Sequence, residues 1–274
     1  NTAYASTLFW DGRAATLEEQ SITPLTHSDE MGADPAALIA DLQAIPGYVE
    51  RFETAFGPGN LSFENVQRAL AAFQRTLISD DSPFDRYAAG EFDALTPQQR
   101  RGLTLFRSGA TRCFECHAAP TFATNNFRVI GIDSDDPGRG GVADDAPDGA
   151  FRVPSLRNIA LTAPYMHNGS LATLEEVIRF YAAGGGRAHG VANVDVFVQG
   201  FDLTDQEVAD MVAFMHALTD ESGLPAIPAA VPSGLPVVQD RWAPGDTVPS
   251  MLCGEGEDPL RVVHRLDKDA SGVL

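Results

Sequence analysis

Apolar residues recur along the chain at intervals of three and four, the spacing that gathers side chains on one face of an α-helix. After Thr204, the residues Val208, Met211, Val212, Met215 and Leu218 make such a stripe, which predicts a helix facing a core. A second stripe, Phe63, Val66, Leu70, Phe73 and Leu77, is opened by Ser62 and closed by Ser82-Pro83. Thr96-Pro97 begins a third, with Thr as cap and Pro at the first helical position, and it carries Leu103 and Phe106 towards a pair of cysteines. Asp34-Pro35 starts a weaker helix through Leu38, Ile39 and Leu42. Thr16-Leu-Glu-Glu19, Thr173-Leu-Glu-Glu176 and Thr204-Asp-Gln-Glu207 have the spacing of capping boxes, in which the hydroxyl accepts from a first-turn N–H and the carboxylate reaches back to the cap. From Asn125 to Gly149 periodicity is lost and the chain reads as loop. Strand signals are sparse and no internal repeat occurs, so the expected fold is mainly α with long loops.

Composition fits a folded protein: 44% of the 274 residues are hydrophobic, and the length suits about two domains. With 38 acidic against 19 basic residues the formal charge is −19, the wrong sign for phosphate backbones. A basic soluble partner is the better match, drawn by long-range attraction that salt weakens. No stretch approaches the ~18 consecutive apolar residues of a membrane helix. The chain begins at Asn1 rather than Met and stops at Leu274 inside a patterned segment, so a fragment or processed product is expected, with any signal peptide upstream.

Cys113-Phe114-Glu115-Cys116-His117 is the C-x-x-C-H pattern of c-type haem attachment. Thiols one helical turn apart reach two vinyl groups, and the adjacent imidazole reaches the iron, making His117 the proximal ligand. A zinc site would need two more ligands at matching spacing, and the remaining cysteine, Cys253, is remote. A redox pair would need a βαβ context, which the pattern does not supply.

Several ordered motifs around this pair resemble the bacterial di-haem cytochrome c peroxidase and methylamine-utilisation MauG family. They are Phe9-Trp-Asp-Gly-Arg13, Leu17-Glu-Glu-Gln20, Pro24, Glu30-Met31, Ser82-Pro-Phe-Asp-Arg-Tyr87 and Gly102-Leu-Thr-Leu-Phe106. Phe151-Arg-Val-Pro-Ser-Leu-Arg-Asn158, Thr162-Ala-Pro-Tyr-Met-His-Asn-Gly-Ser170 and Thr173-Leu-Glu-Glu-Val-Ile-Arg-Phe-Tyr181 continue the match, which covers residues 1–222. The resemblance implies a cytochrome c-like helical haem domain plus an incomplete second one. Residues 1–60 would be the remnant of the N-terminal, peroxidatic domain and 61–222 the C-terminal haem domain. The single C-x-x-C-H is the second of the family's pair, so the first is expected before residue 1.

The resemblance also implies roles. Glu30 corresponds to the distal carboxylate, which can take a proton from peroxide and return it to the departing oxygen; an unmatched lone Glu would be a solvated loop acid. Gln20 and Pro24 would line the same pocket. Trp10 corresponds to the indole between the haems, through which an electron or hole can hop; otherwise it reads as a packed core aromatic. Thr162 and Pro164 would bind calcium through backbone carbonyls, with a further protein ligand expected upstream. The sixth ligand of the iron at His117 is Tyr181, with Met166 as competitor. A thioether raises the potential and suits an electron relay. A phenolate favours higher oxidation states and suits oxidation of a partner protein at long range. Met211 and Met215 read as core, and His27, His167, His189 and His216 are given no chemistry.

The implied activity is reduction of hydrogen peroxide with electrons from a small cytochrome or cupredoxin, in the periplasm, where haem c is attached, with a homodimer as a further expectation. A MauG-like enzyme acting on a protein substrate, and a monohaem electron carrier, are the alternatives. Beyond a Pro-rich linker at 223–236 the sequence changes character. Residues 232–274 resemble the start of a ribosomal-RNA-type pseudouridine synthase, with His264-Arg-Leu-Asp-Lys-Asp-Ala-Ser-Gly272 placing Asp267 as nucleophile. Lacking the rest of that domain, 237–274 is expected to be a disordered or loosely packed foreign tail from two joined reading frames. An RNA-modifying enzyme is thereby the remote alternative.

Overall fold

The computed structural model describes residues 1–235 and Val237, and internal contacts divide the chain into two compact units. One comprises Thr16–Thr76 with the described residues from Pro225 on; the other comprises Asn1–Ala15 with Leu77–Leu224. The boundary drawn at 60/61 from sequence falls inside the former, and residues 1–15 go with the latter. No helix or strand occurs from 223 to 235. Cys253, Asp267 and the synthase-like segment lie outside the described residues.

The smaller unit begins with α1 (Leu17–Gln20) and α2 (Ile22–Thr26). Thr16 Oγ1 accepts from the Glu19 N–H at 3.1 Å, starting α1 as its sequence demands. Then follow α3 (Pro35–Gln43), α4 (Pro46–Phe56) and α5 (Phe63–Thr76). Asp34 caps α3 by accepting from the N–H groups of Ala36 and Ala37, with Pro35 at the first position. The two Arg75 guanidinium nitrogens grip both Glu18 oxygens at 2.8 and 2.9 Å, tying α5 to α1. Leu17, Leu25, Leu61, Val66 and Ala71 are the buried apolar residues. The predicted α5 stripe is only partly inward: Val66 is buried, but Leu70 and Phe73 are 38% and 52% exposed. Periodicity says which residues share a face, and a covering element decides which part of that face is buried. Ser82-Pro83 does not merely end the preceding segment; it starts another helix.

That helix, α6 (Pro83–Ala88), opens the elements of the larger unit. It is followed by α7 (Pro97–Phe106), α8 (Cys113–Cys116), strands β1 (Phe127–Val129) and β2 (Ala150–Arg152), α9 (Leu174–Ala182) and α10 (Asp205–His216). The expected loop at 125–149 therefore contains a short strand, which pairs antiparallel with β2 so that Arg128 faces Phe151. Reciprocal capping boxes start α6, α7, α9 and α10.

Helices α7 and α10 cross so closely at Gly102 that a Cβ there would lie 2.0 Å from the Asp210 carbonyl oxygen. Arg101 locks the crossing with a forked pair to buried Asp210, Nε to Oδ2 at 2.6 Å and Nη2 to Oδ1 at 2.8 Å. Leu95, Leu103, Phe106, Phe122, Phe214, Met215 and Leu218 belong to the main core, while Ile178, Val208 and Met211 form a second cluster against which Cys113 packs. Met211 and Met215 are thus core residues, and His27, His189 and His216 are exposed. Among the described residues no helix is long and apolar enough to cross a membrane.

Candidate cofactor site

Phe106 anchors the end of α7 in the core, and a tight turn then reverses the chain. Thr111 Oγ1 donates to the Leu105 carbonyl at 2.5 Å, and Arg112 takes a left-handed conformation (φ 56°) immediately before α8. This single helical turn presents both cysteines, and the His117 N–H closes it on the Cys113 carbonyl at 2.9 Å. The His117 ring is turned so that Nδ1 meets the Phe122 carbonyl oxygen at 2.9 Å. A carbonyl only accepts, so in the neutral ring Nδ1 carries the proton, the tautomer that leaves Nε2 as the metal-binding nitrogen. Burial pushes the imidazole pKa down, while hydrogen bonding to the Phe122 and Pro154 carbonyls pulls it up.

Neither cysteine is in a disulfide. Burial pushes the Cys113 thiol up to about 11, against a long contact from its Sγ to the Thr111 carbonyl at 3.8 Å. Burial also raises the Cys116 thiol, opposed by the Arg128 guanidinium. Their surroundings thus disfavour the thiolate at both positions. Tyr181, half-buried near the end of α9, shares this environment: burial, then the charges of Cys116 and Cys113, push its phenol pKa up. Met166 lies in the connection before α9, half-buried with φ 73°.

Two further polar groups are buried with an atom left unpartnered. Arg128 pairs through Nη1 with Asp195 at 3.1 Å and faces Phe151 across the strands, yet its Nε is buried without a hydrogen-bond partner. His167 stacks on the Phe151 ring at 3.7 Å, and its buried Nε2 likewise has no partner. An imidazole whose Nδ1 is committed to a carbonyl, two thiols outside any disulfide and a phenol coupled to them suit an iron porphyrin. His167 stands in the family-like motif at 162–170, where sequence assigns it no chemistry, and Arg128 carries no signal in sequence, because each becomes polar and buried only through its fold partners. No cluster of three His, Cys, Asp or Glu side chains able to hold a bare metal ion occurs among the described residues.

In the smaller unit, Gln20 ends α1, Pro24 lies in α2 and Glu30 sits in the turn after it. That turn folds back on α2, with the Met31 N–H on the Pro24 carbonyl at 3.2 Å and the Ala33 N–H on the Leu25 carbonyl at 2.8 Å. Glu30 Oε1 is buried without a hydrogen-bond partner. Trp10 belongs to the other unit, in a reversal bracketed by the Leu8–Ala14 bridge, its carbonyl accepting from the Arg152 N–H at 2.8 Å. Thr162 and Pro164 are exposed on the loop after residue 161.

The profile of a family described as di-haem cytochrome c peroxidase matches residues 1–93. The methylamine utilization protein MauG of Methylophilus methylotrophus is 39% identical over 222 residues, 80% of this chain and 65% of that protein. Cytochrome c551 peroxidase of Pseudomonas aeruginosa is 33% identical, over 84% of this chain and 66% of its own length. A solved structure of a MauG-like protein associated with microbial copper homeostasis superposes with a TM-score of 0.72 at 36% identity, covering 80% of this chain and 73% of that one. The chain thus spans just under two thirds of the length of these curated relatives.

Proposed function

The chain belongs to the di-haem cytochrome c peroxidase and MauG family, and on that premise we propose that it is a haem c oxidoreductase serving peroxide reduction in the periplasm. The observation that carries the reading is His117, next in sequence to two cysteines outside any disulfide and with Nδ1 committed to the Phe122 carbonyl, which assigns metal binding to Nε2. Haem c, when bound, supplies a one-electron iron centre. Cys113 and Cys116 would tether it and His117 would ligate its iron, its basicity raised by the hydrogen bond from Nδ1 to the Phe122 carbonyl. One such group belongs to this chain's motif, and two to the full protein.

Glu30 takes a proton from one peroxide oxygen and returns it to the other, which departs as water. Its buried Oε1, free of any hydrogen bond, supports that role. Overall, one hydrogen peroxide, two electrons and two protons give two waters. Gln20 and Pro24 shape the space over Glu30, and Trp10 offers an oxidisable ring for an electron to cross in two shorter steps. A small cytochrome or cupredoxin is the donor. The carbonyls of Thr162 and Pro164 would hold a calcium ion.

A second reading, MauG-like oxidation of a partner protein, is favoured by Tyr181. The coupling of its phenol to both cysteines supports Tyr181 over Met166 as the second side chain that would ligate the iron, and phenolate oxygen stabilises oxidised iron. Haem counting on the full gene product with EPR of wild type and Tyr181→Phe tests both. Two haems and a low-spin signal changed by the substitution fit the tyrosine-ligated form. An unchanged signal removes Tyr181 as ligand, and one haem without peroxide turnover leaves only an electron carrier.

A further inference from the structure

Two of the family-like motifs, at 82–87 and 151–158, contain no residue that the mechanism uses. Their side chains nevertheless converge on the short segment that follows His117. Arg157, only 6% exposed, forks onto Asp85 through Nη1 to Oδ2 and Nη2 to Oδ1, both at 2.7 Å. Its remaining nitrogen, Nε, donates to the Pro120 carbonyl at 2.8 Å, and its guanidinium lies 5.8 Å from the centre of the Phe122 ring. Ser155 Oγ donates to the Thr121 carbonyl at 2.6 Å, and the Leu156 N–H reaches the Phe122 carbonyl at 3.3 Å. Asp85 is fixed in turn by Ser82, whose N–H and hydroxyl both donate to Oδ2 at 2.9 and 2.6 Å. Burial would raise the Asp85 carboxyl, and the bonds from Arg157 and Ser82 outweigh it.

Three consecutive carbonyls, of residues 120, 121 and 122, are thus each held by one of three consecutive residues, 157, 155 and 156. The last of these carbonyls is the one that accepts from His117 Nδ1. We infer that Arg157, clamped by Asp85 and Ser82, is a positioning residue that sets the strength of the His117 hydrogen bond and so tunes the redox potential of the iron which His117 ligates. The inference rests on the haem reading above and deepens it. A short, well-aligned Nδ1–H to carbonyl bond makes the imidazole a stronger donor and stabilises the oxidised metal. If the segment slackens, that donation weakens and the potential rises. The motifs are distant in sequence because the clasp joins α6, the segment after α8 and the chain leaving β2.

The test uses the haem-loaded full chain from an exporting host and reads the midpoint potential together with the melting temperature. Asp85→Asn and Arg157→Lys remove the fork, and each is expected to shift the reduced-to-oxidised ratio at fixed potential about tenfold towards reduced, equivalent to about 59 mV upward for a one-electron couple. Ser155→Ala removes one hydroxyl only; it is expected to shift the ratio in the same direction by less and is the arm to read if the fork variants fail to accumulate. Leu95→Ala, in the same core but off the clasp, is expected to lower the melting temperature with the potential unchanged. Clasp variants that bind haem and melt earlier at wild-type potential overturn the inference while leaving the haem reading intact. Wild-type protein that binds no haem overturns both.

Discussion

Asp220, 6% exposed, shows how one buried carboxylate organises separate parts of the chain. Its Oδ2 accepts from the N–H groups of Asp80 and Asp81, and its Oδ1 from the N–H and hydroxyl of Ser222. Burial alone would raise its pKa, but these bonds prevail and hold it at about 2. A depressed native value means stability present above the unfolded-state pKa and lost as pH falls through the native one. Asp220 therefore stabilises by about 2 kcal/mol at neutral pH, and that contribution should fade between about pH 4 and pH 2. Urea midpoints of wild type and Asp220→Asn should differ at pH 7 and converge at the acid end; a constant difference would contradict this. The bonds from 80 and 81 were not legible in sequence, since those donors lie far away along the chain. The C-x-x-C-H motif was legible because its chemistry fits within neighbouring residues. Its hydrogen-bond acceptor at Phe122 was not, because every residue owns a carbonyl and none advertises its direction.

At the scale of elements, the capping signals translated directly into helix starts, because a cap is a local bargain between a side chain and the next turn. Thr96 illustrates it: its hydroxyl accepts from Gln99 N–H at 3.2 Å and the Gln99 side chain accepts from Thr96 N–H at 2.9 Å. Thr96→Ala should cost about 1 kcal/mol. Gly102→Ala, further along the same helix, should cost about 3 kcal/mol or more, since its new methyl meets backbone rather than a yielding side chain. Thermal melts of both variants would check the order, and a Gly102→Ala protein as stable as Thr96→Ala would contradict the close crossing. Helix α4 escaped the sequence reading because Ile45 precedes it without a capping side chain and no residue in it is buried. The outer end of α5 was misread for a related reason: its stripe is continuous, but Leu70 and Phe73 remain exposed.

For the whole molecule, the charge of −19 is its most general feature and bears on partner choice rather than on fold. A basic electron donor should associate quickly at low ionic strength. Raising salt from about 0.01 M to about 0.1 M shortens the screening length from about 30 to about 10 Å, and stopped-flow rates of electron delivery should fall on the order of tenfold. A salt-independent rate with a basic donor would remove electrostatic steering. The most direct test of the account is the mass of the peptide spanning Cys113 to His117 from mature protein made in an exporting host. It should be heavier by one haem bound through both sulfurs; the same peptide recovered unmodified, from colourless protein, would contradict the assignment.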